Sequence, residues 1–301
     1  MPQLPALSLA AVPGRRQATI ELAQEIERRG FAGIYCPSFG DGLSLCLAIA
    51  MHTNEIRFGT SIANIYTRHA SDYAQTASWI HEASGGRFTF GIGVSHGPVH
   101  GQLGITVGKP LADMRRFVEG LRAAPRAGEL PPIVLATLRR RMVELAGEIA
   151  DGVVWANGAR SHMQTSLSYL PAVKEDAGQR FVGNMIPACI SDDKDAAAAV
   201  MRRTLTGYVM LPNYQNYWIE AGYEEEMAAI REAISAGDHD RLPSLMSDRW
   251  LADVTLFGSA AEVREGLEAW YAAGVNTPIL VPSSTEGGQM RAFQELFAAF
   301  E

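Results

Sequence analysis

The sequence predicts an α/β protein of the (β/α)8 (TIM) barrel class, with a helical insertion after the seventh strand. Two observations predict it. Eight short apolar runs alternate with amphipathic helical patterns, and they are spread over 301 residues, the length such a barrel requires. A doubly wound open sheet shows the same alternation; the count of eight favours the barrel. No internal repeat, low-complexity tract or Pro/Gly/Ser-rich linker marks a boundary, so residues 1–301 are read as one domain.

The first strand is ALSLAAV, Ala6 to Val12. The helix after it places Ala18, Leu22 and Ile26 four apart, carries Arg28 and Arg29 in its last turn and stops at Gly30. AGIYCP (Ala32 to Pro37) is strand two, followed by a helix over Leu43 to Thr53, and IRFGTSIA (Ile56 to Ala63) is strand three. Tyr73, Ala77 and Ile80 share one face of the next helix, which ends at Gly85-Gly86; RFTFGIG (Arg87 to Gly93) is strand four. A helix with Leu111, Met114, Val118 and Leu121 in register leads to PPIVLAT (Pro131 to Thr137), strand five. Met142, Leu145, Ala146 and Ile149 face inward on the helix after it, before DGVVWAN (Asp151 to Asn157) and RFVGNMIPACI (Arg180 to Ile190), strands six and seven. A mostly helical stretch over about 195–250 interrupts the alternation and is read as the insertion. Ser259 and Glu262 have the spacing of a capping box, and NTPILVP (Asn276 to Pro282) is strand eight, ahead of a last helix.

Composition excludes several classes. Hydrophobic residues make up 47% and charged residues 20%, the balance of a globular protein with a sizeable core. Net charge is −7 and the longest basic run is Arg139–Arg141, so no nucleic-acid partner is expected. Cys36, Cys46 and Cys189 are scattered, without CxxC spacing, so neither a disulfide framework nor a metal site is expected. The N-terminal arginines follow the apolar run, the reverse of a secretory signal. Leu43 to Met51 is about half a membrane span. A cytoplasmic protein with no membrane partner is expected.

Active sites of such barrels gather at the C-terminal ends of the strands. That rule selects Ser38 and Phe39, Ser61 to Arg68, Gly93 to His96, Thr137 to Arg141 and Trp155 to Asn157. Gly91-x-Gly93-x-x-x-Gly97 has the wrong spacing for a dinucleotide fingerprint, and Gly97-Pro98 reads as the start of a loop, not a helix. Its glycines either allow a tight exit from the strand or let a flat ligand lie on the backbone, with His96 exchanging protons near neutral pH. Asn64, Tyr66, Arg68 and His69 put polar groups after strand three. Arg139, Arg140 and Arg141 open a helix, where free amides and guanidiniums suit a phosphate; the alternative is a solvated basic patch, which the helix dipole would oppose. Tyr208, Tyr214, Tyr217 and Trp218 offer aromatic surface for a pocket wall, although such residues pack cores more often. No HExxH, GxSxG, P-loop or paired-carboxylate signature is present.

The words G-T-x-I-x-N, then Ala74-Gln75, then S-G-G-R-F-x-x-G-x-G, carry a resemblance to the luciferase-like monooxygenase family. It is closest in kind to the coenzyme F420-dependent, methylene-tetrahydromethanopterin-reductase-like branch. Gly108 to Arg122, Met142 to Val154 and Phe257 to Leu267 continue the match, which weakens only across 195–250. The resemblance implies a flavin or deazaflavin ring at the barrel mouth, backed by a cis non-proline peptide that falls at Ser61-Ile62. It implies that Gly93, Val94 and Ser95 line the ring, with Ser38 and Asn64 beside it. Ala136, Thr137, Leu138, Arg139, Arg140 and Arg141, with Trp155 and Asn157, match the phosphate and ribityl cradle. Two departures stand out. Ser38-Phe39 replaces an acidic-histidine pair of several relatives, leaving His96 or Tyr66 as proton donor. Arg139-Arg140 replaces Gly-Pro and suits the phosphodiester and anionic tail of F420.

The expectation is therefore an oxidoreductase that moves a hydride between the deazaflavin C5 of F420 and a small-molecule substrate, with His96, Asn64 and Tyr66 as catalytic groups. The alternatives are a reduced-FMN-dependent monooxygenase and a non-catalytic flavin or deazaflavin binding protein. A homodimer through the early helices is expected from the resemblance alone.

Overall fold

A computed structural model describes residues 3–38, 40–172 and 179–301; Phe39 lies outside the described residues. The chain falls into two compact units, Met1–Trp155 with Ser168–Gly183 and Ala156–Leu167 with Asn184–Glu301.

In the first unit the strands β1 (Ala6–Ser8), β2 (Gly33–Cys36), β3 (Arg57–Thr60), β4 (Ala63–Asn64), β5 (Phe88–Gly93), β6 (Ile133–Ala136) and β7 (Gly152–Ala156) follow in chain order. All pair in parallel, with Ala6 opposite Gly33, Ile34 opposite Phe58, Phe90 opposite Ile133 and Val134 opposite Gly152. Between them run α1 (Arg16–Arg28), α2 (Gly42–His52), α3 (Ala70–Ala83), α4 (Gly97–Leu103), α5 (Pro110–Arg122) and α6 (Arg140–Ile149). Most of the predicted inward residues are buried: Leu22 and Ile26, Tyr73, Ala77 and Ile80, Met114, Val118 and Leu121, Leu145, Ala146 and Ile149. Ala18, Leu111 and Met142 are half-buried, and Val143 is buried on α6 where Met142 was expected. Asp41 caps α2 by accepting from Ser44 N at 3.1 Å.

The second unit begins with α7 (Met163–Ser168) and most of β8 (Phe181–Ile190). The predicted insertion is present as α8 (Lys194–Val209), α9 (Pro212–Glu220), α10 (Glu224–Ser235), a 3₁₀ turn (His239–Leu245) and α11 (Asp248–Val254). Then come β9 (Leu256–Gly258), α12 (Ala260–Ala272), β10 (Thr277–Ser283) and α13 (Gln289–Ala299). The Ser259–Glu262 capping box is formed.

β1, β2, β3 with its continuation β4, β5, β6, β7, β8 and β10 occupy the eight strand positions, and the fold class is the (β/α)8 barrel. Three local expectations are corrected. Strand three is two pieces, β3 and β4. The segment from Gly97, expected as a loop, is the short helix α4, started by Pro98. And β9, pairing Ala188 with Leu256, was not foreseen, because three residues show no periodicity.

Two side chains staple the N-terminal ends of the strands. Arg87 donates from Nε to Ser84 O (2.9 Å), from one terminal nitrogen to Thr53 Oγ1 and Ile56 O (both 2.9 Å), and from the other to Ala50 O (3.1 Å) and Thr53 O (2.9 Å). Its guanidinium also lies 5.3 Å from the Phe58 ring centroid. The Glu27 carboxylate accepts the backbone N–H groups of Asn54, Glu55 and Ile56 at 2.7–2.9 Å. The arginine of the S-G-G-R-F word thus has a structural use.

Candidate functional site

The first unit carries most of the predicted site residues at the C-terminal ends of its strands. The peptide Ser61-Ile62 is cis and lies between β3 and β4. Phe58 sits opposite Phe88 and Gly59 opposite Thr89, whereas beyond the break Ala63 sits opposite Ile92. The register has slipped by one residue, so the chain bulges here. Ser61 N donates to Cys36 O at 2.7 Å, and Thr60 Oγ1 donates to Gly91 O at 2.6 Å. The bulge is tied to both neighbouring strands.

The glycines of β5 have a steric cause. A Cβ on Gly91 would lie 1.9 Å from Thr60 O, and one on Gly93 would lie 2.9 Å from both Ala136 Cβ and Ile62 Cγ1. The space a side chain would take is filled by the bulged strand and, at Gly93, also by Ala136 of β6. At the exit Ser95 has φ +58, the left-handed region, which turns the chain toward His96. Val94, Ser95 and His96 are half-buried. Burial, and secondarily the nearby His100, pull the His96 pKa below its usual value.

Asn64 is buried; its side-chain oxygen accepts from Tyr66 N at 3.1 Å and its carbonyl from Tyr73 Oη at 2.8 Å. Tyr66 Oη donates to Asp113 Oδ2 at 2.8 Å, and burial together with that carboxylate pushes the phenol pKa well up. Asp113, on α5 and only 7% exposed, also accepts from Gly108 N at 2.8 Å and pairs with Arg116. The ring of His100 meets Tyr66 edge-on at 5.3 Å, and its Nε2–H donates to Val94 O at 2.6 Å. Tyr66 is therefore anchored: the phenol keeps its proton and donates it in a hydrogen bond to a buried acid. Sequence reading overlooked Asp113 and His100. Asp113 had a signal: it is an acid four residues before Phe117 on the inward stripe of α5.

Thr137, after β6, is buried; its N–H donates to Val154 O at 2.8 Å, while its Oγ1 has no partner in the protein. Ser61 Oγ is likewise buried and unpartnered. Buried hydroxyls left in this state call for a water or a ligand atom. Leu138 is half-buried, and its carbonyl accepts from Trp155 Nε1 at 3.3 Å. Trp155 is wholly buried and props this loop from behind. Arg139 is the N-cap of α6, with no side-chain cap and no acid in the first turn. Arg139, Arg140 and Arg141 are all exposed; Arg140 pairs with Glu144 at 2.8 Å and lies over the Tyr169 ring. The positive end of α6 is thus uncompensated by any acid of its own. Ala136 is half-buried and Ser38 exposed.

Asn157 belongs to the second unit. It is buried at φ +55, its N–H donates to Met185 O at 3.0 Å, and its carbonyl accepts from Trp218 Nε1 at 3.2 Å. Tyr217 Oη accepts from Ala159 N at 3.0 Å. Tyr214, Tyr217 and Trp218 are buried: they pack the core of this unit and brace the turn after β7.

A family description, luciferase-like monooxygenase, matches residues 6–277. The chain is 29% identical over 203 residues to 5,10-methylenetetrahydromethanopterin reductase of Methanolobus tindarius, covering 59% of this chain and 62% of that protein's length. Its fold is similar to the coenzyme F420-dependent tetrahydromethanopterin reductase of Methanopyrus kandleri, with a TM-score of 0.73 at 18% identity over 98% of this chain and 97% of that one. It is also similar to the FMN complex of the oxygenating constituent of 3,6-diketocamphane monooxygenase of Pseudomonas putida, with a TM-score of 0.65 at 16% identity over 100% and 96% of the two chains. No helix among the described residues is long and apolar enough to cross a membrane.

Proposed function

Because this chain belongs to the luciferase-like monooxygenase family, we propose that it is an F420-dependent oxidoreductase acting on a small organic substrate. F420, when bound, supplies a deazaflavin C5 that accepts or gives up a hydride. One observation carries the reading: the uncapped, acid-free start of α6, beside the buried unpartnered hydroxyl of Thr137 and the guanidiniums of Arg139 and Arg141. That is the chemistry of an anion cradle, and a cofactor with a phosphodiester and a carboxylate tail fits it.

Ser61, Ile62 and Asn64 form one wall of the ring site, and Gly93, Val94 and Ser95 another. His96 takes or returns the proton that accompanies the hydride. Tyr66, fixed by Asp113, and His100 hold the exit of β5 in place. Catalysis is chiefly positioning of the two reacting carbons.

The second reading, a reduced-FMN-dependent monooxygenase, is favoured by the same cradle, which suits a single phosphate, and by the FMN-binding relative in fold. Anaerobic assay separates them: reduced F420 is consumed by an organic acceptor without dioxygen on the first reading, while activity that needs both reduced FMN and dioxygen supports the second. Binding of either cofactor without turnover of any acceptor supports a carrier role. A homodimer through α2 and α3 is part of the proposal. These helices present Met51 (66% exposed) and Trp79 (63% exposed), and α2 has no Asp, Glu, Lys or Arg.

A further inference from the structure

The segment after β5 differs from the other strand exits. Between Gly97 and Lys109 no residue is buried, although the segment starts beside His96. It holds Gly97, Gly101, Gly104 and Gly108. Gly104 is explained by its φ of +64, and Gly108 by Asp113, whose Oδ1 would lie 2.6 Å from a Cβ there. Gly97 and Gly101 have neither excuse. A Cβ on either meets nothing within 4 Å, and neither has a positive φ. Glycine weakens a helix, and nothing in this arrangement of the segment asks for it at these two positions.

The face that α4 turns to the site is also unfinished. His100 and Leu103 follow His96 at four and seven residues, one side of a helix. That side is located by His100, which touches Tyr66 and Val94 O. Yet Leu103 is 49% exposed, and Val107 beyond it 36% exposed. A helix packed only against protein would cover an apolar residue on its inner face. Here the stripe that runs from His96 through His100, which touches Tyr66 and Val94 O, ends in an uncovered leucine.

We propose that residues 97–109 are a lid that closes over the β5 end of the site, with Leu103 as its underside against an apolar face of the organic substrate. The proposal rests on the cofactor reading above. The lid is held at one end by His100 on Val94 and Tyr66, and at the other by Asp113, which ties Gly108 to Tyr66. Between these points it has few buried contacts to break, the condition for low-cost local motion. Gly97 and Gly101 give the backbone the freedom that closing requires.

The test is amide hydrogen exchange of the full chain, free and saturated with F420. Exchange across 97–109 is expected to slow severalfold on F420 binding, while that of α12 stays unchanged. Cyclohexanone added to the F420 complex deepens the protection; pyruvate does not. Gly101→Ala keeps the melting midpoint but loses most of the protection, and Leu103→Ser loses the response to cyclohexanone. If F420 binds and exchange across 97–109 is unaltered, the lid is refuted while the cofactor reading stands. If pyruvate protects and cyclohexanone does not, the apolar assignment is refuted. If F420 fails to bind at all, lid and cofactor reading fall together.

Discussion

Arg87→Ala offers the sharpest check on how the barrel scaffold is held. All five guanidinium donors are used, and the four residues that receive them, Ala50, Thr53, Ile56 and Ser84, are each 4–6% exposed. Removing the side chain strands three backbone carbonyls near the end of α2 and the start of β3 and a fourth at the end of α3. It also takes one donor from the Thr53 hydroxyl, which keeps its own bond to Ile49 O at 2.6 Å. Hydrogen bonds to a charged donor contribute roughly 1.5–3 kcal/mol each, and a stranded buried acceptor costs a similar amount. Arg87 itself is half-buried, so water can enter the vacated space and satisfy several of these groups. The net loss is then nearer ~1 kcal/mol per bond, and over five bonds with the contact to Phe58 the total comes to about 5–6 kcal/mol. Lysine brings charge but only three donors on a point, so Arg87→Lys should recover less than half of the loss. Urea unfolding followed by far-ultraviolet circular dichroism measures the difference; a thermal scan should show a fall of roughly 8–10 °C. F420 affinity below the transition should stay near wild type, because Arg87 precedes β5 and the site follows it. A loss under about 1 kcal/mol would refute the stapling argument and mean that water replaces the guanidinium almost without cost.

Four further outcomes follow from the same geometry. His96→Ala should lower turnover while leaving F420 affinity close to wild type; unchanged turnover would remove His96 from the reaction. Since burial and then His100 depress the His96 pKa, a step using it as a base should hold its rate at neutral pH and fall only as acid carries the pH below the ordinary histidine value. His100→Ala should move that inflection upward in the pH–rate profile, and a downward move would contradict the assignment. For Glu27, burial raises the pKa, but the backbone N–H groups of Glu55, Ile56 and Asn54 and the charge on Arg87 outweigh it, so the folded value lies below the usual 4.5. Its contribution is present above that value and vanishes as pH falls through the lower folded one; Glu27→Gln should cost roughly 1–2 kcal/mol at pH 7 and converge with wild type in acid unfolding. Sedimentation should find a dimer that Trp79→Glu converts to monomer; an unchanged dimer would place the interface elsewhere.

Much of the fold was readable because its helices obey one rule. Tyr73, Ala77 and Ile80 recur at helical spacing and are all buried, and Ser259 with Glu262 announces its capping box. What escaped had no such period. α4 buries none of its residues, so its pattern could not distinguish helix from loop. β9 has three residues, and β3 is broken from β4 by a bulge that only the partner strand reveals. At the candidate site, the strand-end rule picked residues that do lie at strand ends, but what each one touches depended on partners far away in sequence. Tyr66 looks like a free phenol until Asp113, 47 residues on, is seen to hold it. Trp155 reads from the resemblance as part of a phosphate and ribityl cradle, and in the fold it is wholly buried behind the loop, donating to Leu138 O. The glycines of β5 look like room for a ligand, and the space proves to be occupied by Thr60 and Ile62.

The central claim is that an anionic deazaflavin lies along the ends of β3 to β6 with its phosphate at the start of α6. Absorbance titration of the purified chain with F420, and separately with FMN, measures it most directly. Saturable perturbation of the F420 spectrum, weakened by Arg141→Glu and by added salt, is the predicted result. Saturation by FMN with no response to F420, or no response to either, would contradict it.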